Sequence, residues 1–436
     1  MAELFRQEDA DYVYDLVKKI CVDIGPGCPC SPQEKQRGNI FKHEMQKFAD
    51  KVEVEPFTCA PKAFIGWFKI GCVLGIISLV FFFLSYYDIY PILFSLIGLI
   101  IAIFIFLMML FEFIFYTEFI DRFYKKKESF NVIGRIIPDE EVKNIIILSG
   151  HHDSALQFNW LRYLKYGYYF TEFVLIFSVT TLLIGLTRTF IYNLLGMPKP
   201  ESLHFFAILM LIFFPMGFIF GVFFAESGKN GGKVPGATDN LASSAMAVRI
   251  GQILKSRKLK SESDSNNTKI SDHKNSIPKN TEIRIISFGC EEAGTRGSYR
   301  YVARHLRELK EKNTMCINFE TICTPNITIL TTDRNSTLKN SKKVVRKLDN
   351  AANIANISHK VEPMPFGGGG TDTLPFSKAG IDAACLFAMK VPSQMIKFYH
   401  QPWDDYTILN KEAIGNTMKI ALEFLKNEVN LSNRHV

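Results

Sequence analysis

Five groups of acidic and imidazole side chains follow apolar or small-residue segments of this sequence, at places where they could bind a metal ion. Imidazole and carboxylate groups are common ligands of divalent metals. Taken singly, each group has a plainer explanation, such as a polar loop after a strand, a helix N-cap, an acidic helix start or a structural histidine. In chain order, the groups are His151 with Asp153, Asp239, Glu291 with Glu292, Glu320, and His400.

Two of these groups directly follow segments typical of buried strands. Residues 145–148 are Ile-Ile-Ile-Leu and lead into Ser-Gly-His-His-Asp, in which alternation lets His151 and Asp153 point the same way. We expect His151 to ligate a metal while Asp153 accepts a hydrogen bond from the other imidazole nitrogen or orients a ligand. The adjacent carboxylates of Glu291 and Glu292 follow residues 283–288, and they repel each other unless a cation lies nearby.

The elements that must position these groups alternate between strands and helices, which predicts an α/β fold: a mixed, mostly parallel central sheet covered by helices. The apolar patterns predict strands at 52–57, 131–137, 144–148, 283–288, 315–319, 327–332 and 383–388. They predict helices at 11–20, 241–254, 296–310, 339–353 and 411–427.

Four apolar stretches interrupt this pattern, at residues 70–87, 91–111, 173–186 and 205–225. All but the third have the length of a membrane-spanning helix. The third could be a buried core helix, but a strong span follows it closely and an even number of crossings requires it. We therefore predict four transmembrane helices arranged as two hairpins.

The domain organisation follows from these patterns. Two transmembrane hairpins, at 62–124 and 161–230, are inserted into one α/β domain made of 1–61, 125–160 and 231–436. Residues 256–280 are rich in Ser, Asn, Asp and Lys, and we expect them to form a disordered loop.

The charge and the cysteines exclude other classes of protein. The 51 Lys and Arg residues exceed the 43 Asp and Glu residues by a formal +8, but they are dispersed or flank apolar runs. Their expected partner is the lipid bilayer, and no nucleic acid is expected. The nine cysteines are odd in number and not densely spaced, which argues against a disulfide framework. Cys28 and Cys30 have no second close pair, so the spacing does not predict a structural metal site.

The ordered motifs together resemble the zinc-dependent exopeptidase family that includes aminopeptidases S and Y, glutamate carboxypeptidase and glutaminyl cyclase. The resemblance runs from about residue 8 to 425, outside the two hairpins. The matching stretches are Ser149 to Ser154, Gly236 to Asn240, Glu291-Glu292 with Gly297-Ser298, Asn318 to Glu320, Gly369 to Asp372 with Phe376 and Gly380, and Tyr399-His400 with Pro402.

The resemblance implies a site with two zinc ions per chain. His151, Asp239 and Glu320 would hold one ion. Asp239 would bridge to the second ion, which Glu292 and His400 would also hold. Glu291 would act as the general base, with Asp153 as a supporting catalytic residue. The implied activity is that of a membrane-anchored exopeptidase, and in the first place an aminopeptidase, that hydrolyses peptides with a metal-activated water.

Two features depart from the family pattern. Glu320 stands where the family usually has Asp, which could weaken binding at that metal or change its metal preference. His151 and Asp239 are 88 residues apart, far more than is usual in the family. Removing the second hairpin takes out about 70 residues and brings this spacing back into range.

The charge distribution around the spans predicts the orientation. Each hairpin returns the chain to its starting side, so the catalytic segments share one side of the membrane. That side carries ten Lys and Arg residues near the spans and the opposite loops carry two, which predicts a cytoplasmic peptidase domain. The acidic N-terminus does not resemble a signal peptide, and we expect the first span to target the chain. The sequons at Asn326 and Asn356 argue the other way.

Three other functions stay open. A glutaminyl-cyclase-like acyltransferase would use a single zinc, and the presence of His151 argues against it. A catalytically inactive membrane scaffold or receptor would usually have lost ligands that this chain retains. An intramembrane transport site could use Glu112, Glu172 and Glu226, but charges near span ends more often lie among lipid headgroups. The sequence leaves open the side-chain specificity, the choice between amino- and carboxypeptidase, the membrane and the oligomeric state.

Overall fold

The chain is represented by a computed structural model that describes residues 5–226, 228, 232–265, 279–365 and 367–432. The described chain forms two compact units. The first, here called the α/β unit, comprises Met1–Pro61, Lys127–Leu156 and Gly228–Val436. The second, called the helical unit, comprises Lys62–Lys126 and Gln157–Ser227.

The α/β unit contains a sheet that has eight strands within the described residues, in the order β1-β2-β4-β3-β5-β10-β6-β9. Strands β4, β3, β5 and β10 are parallel neighbours, whereas β1, β2 and β6 add antiparallel pairings. The strands are β1 Lys51–Cys59, β2 Lys127–Ile136, β3 Asn144–His151, β4 Thr281–Phe288, β5 Asn313–Ile322, β6 Ile327–Leu330, β7 Thr332–Asp333, β8 Leu338–Lys339, β9 His359–Glu362 and β10 Asp382–Ala388.

The helices of both units, in chain order, are α1 Gln7–Asp23, α2 Pro32–Gln46, α3 Ala63–Tyr86, α4 Pro91–Met108, α5 Asn159–Leu164, α6 Tyr168–Leu194, α7 Glu201–Val222, α8 Ala242–Ser265, α9 Arg296–Glu311, α10 Lys342–Ile354, α11 Leu374–Lys378, α12 Met395–Phe398 and α13 Lys411–Ser432. Helices α3, α4, α5, α6 and α7 belong to the helical unit.

Alternating side chains of the central strands cover both faces of the sheet. On one face, Ile146 and Leu148 of β3 join a core with the apolar sides of α1, α8 and α13. On the other face, Ile145 and Ile147 pack in a cluster with Tyr301 of α9. Burial on both faces explains why the sequence of β3 contains a continuous run of apolar residues.

The predicted fold class is confirmed: the sheet is mixed and mostly parallel, and helices cover it. Every predicted strand and helix of this unit is present, although the bounds differ by a few residues. Helix α2 was missed because its buried side includes Glu34 and Arg37, so it shows little apolar periodicity. The signal that could have revealed α2 is its start, where Ser31 caps the helix and Pro32 occupies the first turn.

The segment 256–280 was predicted to be a disordered loop, and this is wrong for its first part. Helix α8 continues to Ser265, ten residues into the segment. The first half of α8 is buried, and the helix extends from it into this polar segment. The rest of the prediction, for residues 266–278, lies outside the described residues.

The described part of the helical unit has four helices that are long and apolar enough to cross a membrane, by length and composition. The third predicted span, 173–186, lies within the longer helix α6. Small and hydroxyl residues bring the helices together: Ser178 Oγ donates to the Phe213 carbonyl at 2.9 Å, and Ser78 Oγ donates to the Gly98 carbonyl at 2.8 Å. Such contacts are typical of helix packing in lipid.

The close approach at Gly297 provides a test of the α/β unit. A Cβ at this position would overlap the Gly289 carbonyl oxygen and lie 2.5 Å from Asn131 Oδ1. We expect Gly297→Ala to destabilise the unit by about 1–3 kcal/mol, as overpacking does elsewhere. Thermal melting in detergent measures the change. The matched control is Gly71→Ala, whose Cβ would lie 3.6 Å from its nearest neighbour. Equal melting temperatures for the two variants would contradict the packing described.

Candidate metal centre

The candidate ligands meet at the carboxyl ends of the parallel strands. His151 is the last residue of β3, Glu291 and Glu292 follow β4, and Glu320 lies near the end of β5. Parallel neighbours place these ends along one edge of the sheet, where open α/β folds bind their ligands. Asp239 comes from the turn that precedes α8, and His400 from the loop after α12. The five groups singled out from the sequence are thus brought together.

Asp239 lies between the two histidines. Its Oδ1 is 3.4 Å from His151 Nε2, and its Oδ2 is 3.4 Å from His400 Nε2. Each carboxylate oxygen therefore faces one imidazole. This is the arrangement expected of a carboxylate shared by two cations.

One glutamate accompanies each histidine. Glu292 Oε2 lies 3.4 Å from His400 Nε2, whereas Glu320 Oε1 lies 4.0 Å from His151 Nε2. Glu291 Oε2 is also near the His151 side, at 3.7 Å from Nε2. The cluster thus has two halves that meet at Asp239.

Asp153 holds the loop that carries the paired glutamates. Its two carboxylate oxygens accept the backbone N–H groups of Glu291 at 3.1 Å and Glu292 at 3.0 Å. Its Oδ1 also lies 3.3 Å from His151 Nδ1. Asp153 is fully buried, so its charge acts on both the imidazole and the loop with little screening.

Asp404 and Asn240 support the centre, and neither was predicted to do so. Asp404 accepts the Thr238 N–H at 2.8 Å and the Asp239 N–H at 3.2 Å, which fixes the turn that carries Asp239. Asn240 Nδ2 donates to Glu320 Oε2 at 3.1 Å. Asp404 is four residues beyond His400, and no role was assigned to it from the sequence. Only the fold shows that its side chain is buried beneath the turn.

The second histidine of the His-His-Asp run, His152, lies in the protein core and not among the candidate metal ligands. His152 is fully buried, its Nδ1 lies 2.9 Å from Ser287 Oγ, and its ring is beside Phe130. Burial lowers the pKa of His152 to about 4, so the ring is neutral at neutral pH. Alternation along the chain turns it away from the cluster that contains His151.

The pKa values within the cluster show a shortage of positive charge. Burial, followed by the repulsion of neighbouring carboxylates, raises the pKa of Glu292 and of Glu320 well above the usual value. Burial likewise raises the pKa of Glu291, where the charge on His151 opposes it. At Asp239, burial is outweighed by the two neighbouring imidazoles, His151 and His400, which lower the pKa.

The donor set fits divalent metal ions. Among the described residues, both ring nitrogens of His151 and Oε1 of Glu292 are buried without a hydrogen-bond partner. Ligand atoms of His151, Asp239 and Glu292 lie within 4.8 Å of one another. A divalent cation would satisfy these atoms and offset the repulsion between the carboxylates. Imidazole and carboxylate ligands suit zinc.

A pocket opens onto the cluster. Its described lining includes four acidic residues, Asp239, Glu291, Glu292 and Glu320. It also includes Gly368 and Gly370, from the four consecutive glycines at 367–370. Its apolar part contains Phe387, Met389 and Tyr399. Phe398 is buried, the Trp403 indole donates to the Lys397 carbonyl, and neither belongs to the described lining of this pocket.

Comparisons with known proteins agree with this geometry. Residues 223–425 match the model of Peptidase family M28. The curated relative aminopeptidase YwaD of Bacillus subtilis (strain 168) is 30% identical over 189 residues, which is 41% of this chain. The match spans 35% of the relative, so the chain covers about a third of its length. The resemblance inferred from the ordered motifs is confirmed.

Solved structures share the fold. A zinc aminopeptidase from Bacillus subtilis, BSAP, superposes with a TM-score of 0.52 at 14% identity, covering 96% of this chain and 95% of that one. A glutaminyl cyclase from an Acidobacteriales bacterium superposes with a TM-score of 0.53 at 11% identity, covering 98% and 96%. At these identities the likeness concerns the fold alone.

The role of Asp404 can be tested against its neighbour. We expect Asp404→Asn to weaken zinc binding by about 10- to 100-fold, because the turn that carries Asp239 loses a charged acceptor. Asp405 instead accepts the Thr407 N–H at 2.8 Å in a nearby turn. Asp405→Asn should therefore bind zinc like the wild type in competition with a chelator. A normal zinc affinity in Asp404→Asn would contradict the positioning role.

Proposed function

We propose that the protein is a membrane-anchored, zinc-dependent aminopeptidase, which the match of residues 223–425 to the model of Peptidase family M28 supports. The observation that carries the proposal is the place of Asp239, with one carboxylate oxygen facing each of two histidines. In this proposal, His151, Asp239 and Glu320 hold one zinc ion. Asp239, Glu292 and His400 hold a second.

Bound zinc would supply Lewis acidity, both to activate water and to stabilise the negative charge that develops on the scissile carbonyl. The chain itself would supply the base. Glu291 lies 3.7 Å from His151 Nε2 and is proposed to take a proton from the attacking water and deliver it to the leaving amine. Asp153 holds the Glu291 N–H and thereby fixes the position of the base.

The lining of the pocket favours an amino-terminal substrate over a carboxyl-terminal one. Among its described lining residues, four are acidic and none is Lys or Arg. No cationic side chain among these residues could pair with the α-carboxylate that a carboxypeptidase must bind. The apolar side chains of Phe387 and Met389 suit an aliphatic or aromatic terminal residue.

The four long apolar helices α3, α4, α6 and α7 would anchor the protein in a bilayer. Many of their apolar side chains are exposed within the helical unit, including Val80, Phe205 and Leu211. Exposed apolar surface of this extent is typical of a face that contacts lipid. The distribution of Lys and Arg around the spans favours a cytoplasmic α/β unit.

Replacing the proposed base separates catalysis from metal binding. We expect Glu291→Gln to lower kcat by about 10²- to 10⁴-fold while zinc content is unchanged, because the side chain loses its ability to accept the proton. The assay uses aminoacyl amides and N-blocked peptides with protein purified in detergent. Hydrolysis of the amides alone would identify an aminopeptidase.

Two further Glu→Gln variants serve as controls. Glu292→Gln should lose both zinc and activity, whereas Glu311→Gln, at an exposed position of α9, should retain both. Full activity in Glu291→Gln would overturn the proposed mechanism. Release of ammonia from amino-terminal glutamine, without hydrolysis of any amide, would favour the cyclase alternative. A wild type that stays inactive and retains no zinc in this cluster after it has been loaded with zinc would favour the scaffold.

Glycosylation in microsomes tests the orientation. Asn326 is exposed and begins the sequon Asn-Ile-Thr. It should remain unmodified if the α/β unit is cytoplasmic, because the modifying enzyme works in the lumen. A Gly/Ser-flanked sequon inserted after Met197, between α6 and α7, should be modified. Modification of Asn326 and not of the inserted sequon would reverse the proposed orientation.

A further inference from the structure

Three cysteines from distant parts of the chain meet beneath the loop that carries Glu291 and Glu292. Cys30 precedes α2, Cys59 ends β1, and Cys290 follows β4. Cys30 Sγ lies 3.6 Å from Cys59 Sγ and 3.4 Å from Cys290 Sγ, and all three sulfurs lie within 4.8 Å of one another. All three residues are buried, at 7%, 1% and 0% exposure.

We infer that Cys30, Cys59 and Cys290 form a structural zinc site, with the Glu34 carboxylate as its fourth ligand. This site is separate from the His, Asp and Glu cluster, and the inference does not rest on the proposed function. A tetrahedral zinc with sulfur at 2.3 Å places its thiolates about 3.8 Å apart. The observed separations of 3.4 and 3.6 Å are close to this value. A disulfide would involve two of the sulfurs and leave the third without a role.

Glu34 lies beside Cys290 at one edge of the cluster, and its carboxylate would move toward the other two sulfurs to become the fourth ligand. Its Oε1 lies 3.2 Å from Cys290 Sγ, and it is fully buried. The same carboxylate accepts the Cys290 N–H at 2.9 Å, the Ser129 hydroxyl at 2.9 Å and the Cys30 N–H at 2.6 Å. A carboxylate beside three thiols favours zinc over copper(I), which prefers sulfur alone.

Zinc is bound by thiolates, so its binding would displace the thiol protons of the three cysteines.

The backbone is bent to aim two of the thiols inward. Cys30 has φ 59° and Cys290 has φ 54°, a left-handed conformation that residues other than glycine rarely adopt. Three successive amides, those of Cys290, Glu291 and Glu292, are held by the buried carboxylates of Glu34 and Asp153. A zinc ion bound by Cys290 would therefore fix the loop that presents both glutamates.

The test measures zinc per chain in the full-length protein, purified in detergent without chelator. Cys59→Ser and Cys30→Ser should each contain one zinc ion fewer than the wild type. Cys21→Ser, a cysteine on α1 outside the cluster, should match the wild type. Unchanged zinc in both cluster variants would overturn the inference, as would an intact mass showing that two thiols have lost their hydrogens to a disulfide.

Cobalt(II) substitution gives a second measurement, which does not depend on whether the serine variants fold. The wild type should show a thiolate-to-cobalt charge-transfer band, and the double variant His151→Ala, His400→Ala should keep it. The proposed catalytic centre contains no cysteine, so a band in the double variant reports only on the cysteine cluster. Absence of the band from the wild type would overturn the inference even if the proposed peptidase function were upheld.

Discussion

The structure depends on the cost of burying several carboxylates together at one edge of a parallel sheet. Asp153, Asp239, Glu291, Glu292 and Glu320 lie around two imidazoles with little access to solvent. Acidic groups so placed repel one another unless cations lie between them. Burial raises the pKa values of the three glutamates, and the neighbouring carboxylates add to the rise. The arrangement is therefore best explained as a site shaped for metal ions.

The loop after β4 shows how the fold holds these acidic side chains in place. Buried carboxylates below the loop accept its backbone N–H groups, so its own glutamate side chains are free to point into the pocket. The turn before α8 follows the same principle, with Asp404 accepting the Thr238 and Asp239 amides. Acidic residues thus have two roles. Some are candidate metal ligands, and others accept backbone N–H groups from the segments that carry those ligands. Such supporting groups commonly set the affinity of a metal site.

The residues that meet at the sheet edge were singled out by their order along the chain, although each group taken alone has a plainer explanation. A continuous apolar run marks β3, and His151 with Asp153 come directly after it. The sheet class also followed from the alternation of apolar strands with periodic helices. The supporting residues could not be predicted in this way. Asp404 and Asn240 lie in polar segments, and only tertiary packing shows which polar side chains are buried.

The cysteine cluster could not be predicted from the sequence either. Spacing along the chain gave no reason to connect Cys30 with Cys59 and Cys290, which are separated by as many as 260 residues. Helix α2, which carries Glu34, has too little apolar periodicity to be predicted. The sequence explained the long gap between His151 and Asp239 as an insertion. In the structure, residues 157–227 of this gap belong to the helical unit.

The proposed role of Asp239 requires two metal ions, one on either side of its carboxylate. Anomalous diffraction at the zinc absorption edge, from crystals of the zinc-loaded protein, tests this requirement. We expect two peaks in this cluster, one between Asp239 and His151 and one between Asp239 and His400. A single peak, or none, beside Asp239 would contradict the proposed role.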